Sequence, residues 1–171
     1  RPMGRLLSLQ LTVADRLVLA KVRDRLGGRM RFMISGSAAL SPAIATWFQT
    51  AGLTLIEGYG LTETGGGACI GDPEHPVAGV VGSPLVGSEL GIADDGEILL
   101  RGPNVMRGYH NLPEETARVL SPDGWFATGD IGELDAQGRL RVTDRKKDLI
   151  KTSGGKYIAP QPIEAQFKAL C

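Results

Sequence analysis

The sequence predicts a mixed fold: part of a parallel-sheet α/β unit, then a distorted β-barrel-like unit, then the beginning of a small, mobile α+β unit. Three observations predict it. Two short apolar runs, at 30–34 and 53–57, flank a helical pattern, and strand–helix–strand with short connections favours a parallel pair with a crossover. After about Asp72 the texture changes to short strands and turns, interrupted by Pro73 and Pro76. Near Asp144 it changes again, to a charged run followed by a glycine-rich turn. The expected units are 1–75, 76–143 and 144–171.

The elements follow in order. Ala14, Val18, Val22 and Leu26 recur every four residues, with Leu17 beside them and Asp15, Arg16, Lys21 and Arg25 between. This is an amphipathic helix, ended by Gly27 and Gly28. Residues 30–34 read as a buried strand, closed by the turn Ser35-Gly36-Ser37. Ser41 then caps a second helix with Pro42 at its first position. That helix is expected to turn Ile44, Trp47 and Phe48 inward and to stop at Gly52. Residues 53–57 form the next strand. Ligands in such sheets collect at the carboxyl ends of strands, where Ser35-Gly36-Ser37 and Glu57-Gly58-Tyr59 both fall. In the β-rich part, strands are expected at 79–81, 90–92, 97–101 and 139–142. Asp94-Asp95-Gly96 and Ala136-Gln137-Gly138 read as hairpin turns. One helix interrupts, opened by Pro113 with Glu114 and Glu115 in its first turn, where carboxylates suit the helix dipole. A last helix is expected from about Gln161.

Composition narrows the function classes. The 171 residues carry 19 basic and 19 acidic side chains, a formal net charge of zero. No charge excess argues for nucleic acid as a partner. No apolar run approaches the roughly 20 residues that span a bilayer, so no transmembrane segment is expected. Two cysteines, Cys69 and Cys171, make no disulfide framework and fit a reducing cytoplasm. The chain opens at Arg1-Pro2-Met3 and stops within a helical pattern, which reads as a fragment of a longer protein.

The richest stretch is Leu55 through Thr64, in which an apolar strand ends in a turn presenting Tyr59, Thr62 and Glu63. Thr62 donates to an anionic oxygen, and an ionised Glu63 accepts or binds a cation. A ring, a hydroxyl and a carboxylate so close together suit a base, a phosphate and a hard metal ion. Alone, this stretch reads better as a glycine-rich turn with a solvated glutamate. Thr128-Gly129-Asp130 reads alone as a β-turn whose aspartate satisfies local donors, and 144–148 as a solvated charged face. Trp125 reads as a core or interface ring, Cys69 as a small core residue, and His75 and His110 as surface residues.

Taken together, Tyr-Gly-Leu-Thr-Glu-Thr at 59–64, Thr-Gly-Asp at 128–130, Gly-Arg-Leu-Arg-Val-Thr-Asp-Arg-Lys-Lys-Asp at 138–148 and Ser-Gly-Gly-Lys-Tyr-Ile at 153–158 form one ordered series. In it the chain resembles the adenylate-forming superfamily of acyl-CoA synthetases, luciferases and peptide-synthetase adenylation domains, from about Arg29 to Glu164. The stretch at 35–42, Ser-Gly-Ser-Ala-Ala-Leu-Ser-Pro, is similar to the long-chain fatty acyl-CoA synthetase branch.

The resemblance implies a ligase that activates a fatty acid with ATP to an acyl-adenylate and passes the acyl group to coenzyme A. It implies that Gly36, Ser37 and Ala38 line one side of the adenine and that Tyr59 packs on its face, with Glu57 and Gly58 beside it. Thr62 would bond the α-phosphate, Glu63 would hold Mg²⁺, Asp130 would bind the ribose of ATP or AMP, and Arg145 would lie near ribose and phosphate. Lys147 would be the hinge of a swivelling C-terminal unit, and Ser153, Gly154 and Gly155 the loop that enters the site for thioester formation. Neither a Ser/Thr/Gly-rich phosphate loop nor the family's distal lysine is in the sequence, so the isolated fragment is expected to be inactive. A fatty acyl-AMP ligase that loads a carrier protein, and a non-catalytic adenylate-binding module, stay open beside the ligase. The expected location is cytoplasmic, with peripheral membrane contact of the parent protein left open.

Overall fold

The computed structural model describes residues 10, 12–151, 157, 158, 160, 163, 164 and 167. The first helical pattern folds as a wide π turn, Asp15–Leu19, running into an α-helix, Ala20–Arg25. Gly27 and Gly28 stop it at φ +91° and +66°, and their N–H groups close on the carbonyls of Asp24 and Arg23. This left-handed exit is available to glycine at little cost.

Strand β1, Met33–Ser35, lies parallel to β2, Leu55–Tyr59, in the register Met33–Leu55, Ile34–Ile56 and Ser35–Glu57. The helix Pro42–Thr50 makes the crossover between them and packs on β2. Two short strands, β3 (Cys69–Ile70) and β4 (Ser83–Pro84), extend this sheet antiparallel, in the order β1-β2-β3-β4. A second sheet is an antiparallel meander of β5 (Glu89–Ile92), β6 (Glu97–Arg101), β7 (Phe126–Leu134) and β8 (Leu140–Arg145). It forms a half-barrel, with the helix Pro113–Val119 in the β6–β7 connection. A two-stranded ribbon, β9 (Ile150–Lys151) and β10 (Tyr157–Ile158), follows.

One core joins the sheets. Cys69 of the first sheet and Ala68 just before it pack with Ile98, Leu100 and Leu140 from the second, and the last three are at most 1% exposed. Burying each such aliphatic side chain is worth about 1.5–3 kcal/mol. The junction is tight at Gly82, which bridges to Leu140 and where an added Cβ would run into the Ile70 carbonyl. Tyr59 and Leu61 pack on the rim of this core, which fixes the turn after β2 against the half-barrel.

Several expectations are corrected. Strand β1 starts three residues later than expected and is not buried: Ile34 is 55% exposed. Among the described residues β1 pairs only with β2, so it is an edge strand and one of its faces stays open. On the crossover helix Ala45 is buried, whereas Ile44 and Trp47 are about half exposed, and Trp47 stacks edge-on against Phe48. Leu17 and Val18 of the first helix are also exposed. Periodicity identified the apolar faces but not which of them this chain covers. Ser41 stands at the helix start without a side-chain cap bond, though Pro42 does take the first position. Residues 79–81 form no strand: a turn lies at 78–79, and the strand comes later, at Ser83–Pro84. Thr128-Gly129-Asp130 is no free β-turn but part of β7, the longest strand. The two hairpin turns and the Pro113 helix form where expected. Of the helix expected from about Gln161, residues 163, 164 and 167 are described and are helical; the loop Ser153-Gly154-Gly155 lies outside the described residues.

Candidate functional site

A cleft of about 480 Å³ opens between the turn after β2 and the half-barrel, lined by Leu61, Thr128, Gly129, Asp130, Arg145, Lys146 and Lys147. Its floor is a bulge. Pairing of β6 with β7 jumps from Glu97–Ile131 to Leu99–Ala127, so residues 128–130 face only Ile98. Bulges of this kind re-aim a side chain. Thr128 Oγ1 donates to the Ile98 carbonyl at 2.8 Å, and Gly129 N–H donates to Glu97 Oε1 at 2.8 Å. Gly129 has φ +74° and nothing near where a Cβ would stand, so the turn chooses glycine for its backbone alone.

The bulge delivers Asp130, 6% exposed, to the cleft. Tyr59 Oη donates to Asp130 Oδ2 at 2.7 Å across a separation of 71 residues. Arg145, the cross-strand partner of Asp130, brings Nε to 3.4 Å from Asp130 Oδ1. Burial is the main cause that pushes the Tyr59 phenol well above its ordinary value, so it is the proton donor in this bond. Asp130 thus sits with a phenol and a guanidinium on it, and with Lys146 and Lys147 along the same wall. One buried carboxylate among three cations suits a ligand that carries both hydroxyls and negative charge.

Around the turn, Gly36 and Gly58 are brought together by the Ser35–Glu57 pairing: a Cβ on Gly36 would lie 3.2 Å from the Gly58 carbonyl oxygen. Ser37 and Ala38 follow, both exposed, and Ser37 holds φ +67°, a conformation uncommon for a residue with a side chain. Thr62 and Glu63 lie in a single 3₁₀ turn, Thr62–Thr64, beside the cleft-lining Leu61. Gly60 permits that turn, because a Cβ there would stand 2.5 Å from the Gly66 carbonyl oxygen. Glu63 Oε1 accepts from Tyr109 Oη at 2.9 Å, and its carbonyl accepts from Met106 N–H. Glu57 is different: it is 7% exposed and its Oε1 accepts from Gly79 N–H at 2.6 Å. One of its oxygens thus holds the chain after Pro76, while Tyr59, two residues on, reaches Asp130. Lys147 sits in the 3₁₀ turn Lys146–Asp148 directly after β8.

Three residues of the site had no local signal. Tyr109 is 46 residues from Glu63, and Glu97 is 49 from Lys146 and 32 from Gly129. Lys146 Nζ donates to Glu97 Oε2 at 2.6 Å and also pairs with Asp95 at 2.7 Å. The bond to Asp95, then that to Glu97, raises the Lys146 ammonium above its ordinary value. These partners meet only through sheet registration.

An α/β sheet joined to a half-barrel around such a cleft is the architecture of adenylate-forming enzymes. The O-succinylbenzoate coenzyme A synthetase of Bacillus subtilis, solved with ATP and magnesium ion, superposes with a TM-score of 0.72 at 30% identity, over 87% of this chain and 34% of that one. The family model for AMP-binding enzymes matches residues 5–110, and the chain belongs to that family. The long-chain-fatty-acid–CoA ligase FadD15 of Mycobacterium bovis is 46% identical over 166 residues, 97% of this chain and 28% of that protein. The human long-chain-fatty-acid–CoA ligase 1 is 41% identical over 162 residues, 88% of this chain and 23% of that protein. The chain spans about a quarter of the length of these curated relatives.

Proposed function

We propose that this chain is part of an AMP-forming long-chain fatty acid–CoA ligase. In the first half-reaction a fatty-acid carboxylate oxygen attacks the α-phosphorus of ATP. The bond from that phosphorus to the bridging oxygen breaks, and pyrophosphate leaves. In the second, the sulfur of coenzyme A attacks the acyl carbonyl, the thiol proton is lost, and AMP departs. The observation that carries this reading is the buried carboxylate of Asp130, aimed by a bulge into a cleft with Arg145 and Lys147 on its wall. Its two oxygens suit the two ribose hydroxyls, Tyr59 and Arg145 orient it, and Tyr59 offers a ring face to the adenine beside Gly36, Ser37, Ala38 and Gly58. Thr62 donates to the α-phosphate.

Glu63 suits Mg²⁺, which keeps waters and binds through one or two carboxylates plus phosphate oxygens. When bound, that ion offsets charge on the departing pyrophosphate. We assign 1–75 to the large α/β unit, 76–143 to the barrel-like unit, and 144–171 to the hinge, at Lys147, and the start of the C-terminal unit, with Ser153, Gly154 and Gly155 in the thioester-state loop. Among the described residues no helix is long and apolar enough to cross a membrane. The free thiol of Cys69 suits a cytoplasmic setting.

The test is fatty-acid-dependent exchange of radiolabelled pyrophosphate into ATP by the full-length protein, followed by acyl-CoA formation on adding coenzyme A. Exchange with palmitate and a strict coenzyme A requirement are expected. Exchange with palmitate but transfer only to a carrier protein would replace the acceptor. Absence of exchange with any long-chain acid would refute the reading.

A further inference from the structure

Glu97 uses both carboxylate oxygens on parts of the fold that are far apart in sequence. Oε1 accepts from the Gly129 N–H inside the bulge, and Oε2 accepts from Lys146 Nζ. The side chain is only 12% exposed, and Lys146 is held a second time by Asp95. Lys146 opens the 3₁₀ turn that contains Lys147, and the bulge presents Asp130. One carboxylate therefore ties the residue beneath the candidate ribose site to the residue that precedes the candidate hinge. Lys146 is 45% exposed, so it can leave the pair for water, whereas the Glu97–Gly129 bond is between an ordered backbone and a shielded side chain.

We propose that Glu97 is a positioning residue with two separable duties: its Gly129 bond holds Asp130 in place, and its Lys146 pair latches the hinge turn to the half-barrel in one of the two working conformations. This rests on the ligase reading above. A torsional change at Lys147 moves the adjacent Lys146, so the ion pair is made in one conformation and broken or re-formed in the other. A contact made in one state alone shifts the balance between states by its own differential strength. A half-exposed ion pair of this kind is worth up to about a factor of five in such a balance.

Full-length protein is used, with the two half-reactions measured separately: pyrophosphate exchange for adenylation, and single-turnover transfer from purified acyl-adenylate to coenzyme A. Lys146→Met removes the latch and is expected to change the ratio of the two half-reaction rates by up to about fivefold. Glu97→Gln retains one acceptor for Gly129 N–H and should reproduce the Lys146→Met ratio, with little further effect when the two are combined. Glu97→Ala removes both bonds and should raise the KM for ATP as well. An unchanged ratio in both Lys146→Met and Glu97→Gln, or a Glu97→Gln effect confined to thermal stability, overturns the proposal. Wild-type protein without exchange would instead refute the ligase reading, so the two failures are distinguishable.

Discussion

Replacing Asp130 by Asn tests the site most directly. The side chain keeps its shape but exchanges one acceptor oxygen for a donor. In the structure Asp130 Oδ2 accepts from Tyr59 and Oδ1 faces Arg145 Nε at 3.4 Å. Tyr59 can still donate to the amide oxygen, and the new amide N–H then faces another donor and whatever hydroxyl approaches. A hydrogen bond to a charged group contributes about 1.5–3 kcal/mol, and about 1.4 kcal/mol is tenfold in affinity. The variant should therefore bind ATP roughly ten- to a hundredfold more weakly. Calorimetry on the full-length protein with ATP and with 2′- or 3′-deoxy-ATP makes the test specific. If Asp130 holds the ribose, the losses from variant and analogue overlap, and the variant discriminates poorly between ATP and the deoxy compound. Strictly additive losses for both deoxy analogues would refute the placement of Asp130 on the ribose.

Gly60→Ala and Gly129→Ala should both destabilise, for different reasons. The first forces backbone apart, since its Cβ would stand 2.7 Å from Gly67 Cα, and should cost about 1–3 kcal/mol. The second meets open space and costs about 1–2 kcal/mol of left-handed strain, so denaturant melts should show Gly129→Asn less harmful than Gly129→Ala and no such relief at Gly60. Tyr109→Phe removes the phenol that bonds Glu63. It is expected to raise the Mg²⁺ concentration for half-maximal pyrophosphate exchange several-fold while leaving the KM for fatty acid alone; a shift in the fatty-acid KM instead would refute the assignment. Burial pushes the Cys69 thiol up to about 12 from its ordinary 9.0. The folded chain keeps this proton while the unfolded chain loses it, so this thiol's contribution to stability falls as pH rises from about 9 towards 12, by about 1.4 kcal/mol per pH unit. Urea melts at pH 8 and pH 10 should show the wild type losing more than Cys69→Ala, and an equal loss in both would refute it.

What the sequence revealed was the local part of the site. Tyr59, Thr62 and Glu63 share one turn, so spacing alone brought them together, and Gly36 was legible as the loop at the end of a parallel strand. Thr128-Gly129-Asp130 was legible as a motif but not as a strand. Its threonine, glycine and aspartate are turn-formers, and only pairing with Glu97–Arg101 on one side and Leu140–Arg145 on the other makes it a bulge. Glu97, Tyr109 and Lys146 were illegible because each acts through a partner more than 30 residues away. The inward side of the Pro42–Thr50 helix was misjudged because amphipathicity reports what is apolar, whereas burial depends on what lies opposite. Glu57 has a partner that spacing does not announce: its Oε1 accepts from the Gly79 N–H, 22 residues further on.

The core shared by Ala68 and Cys69 with Ile98, Leu100 and Leu140 has a consequence for how the cleft responds to its ligand. Neither half of the Tyr59–Asp130 contact survives if that core opens, so a molecule bound at Asp130 opposes unfolding of both sheets at once. Mass action then makes a nucleotide a global stabiliser, worth about 2.7 kcal/mol at a hundred times its Kd. Saturation with ATP should raise a single melting transition for both sheets, and the protein's resistance to heat would track the nucleotide pool around it.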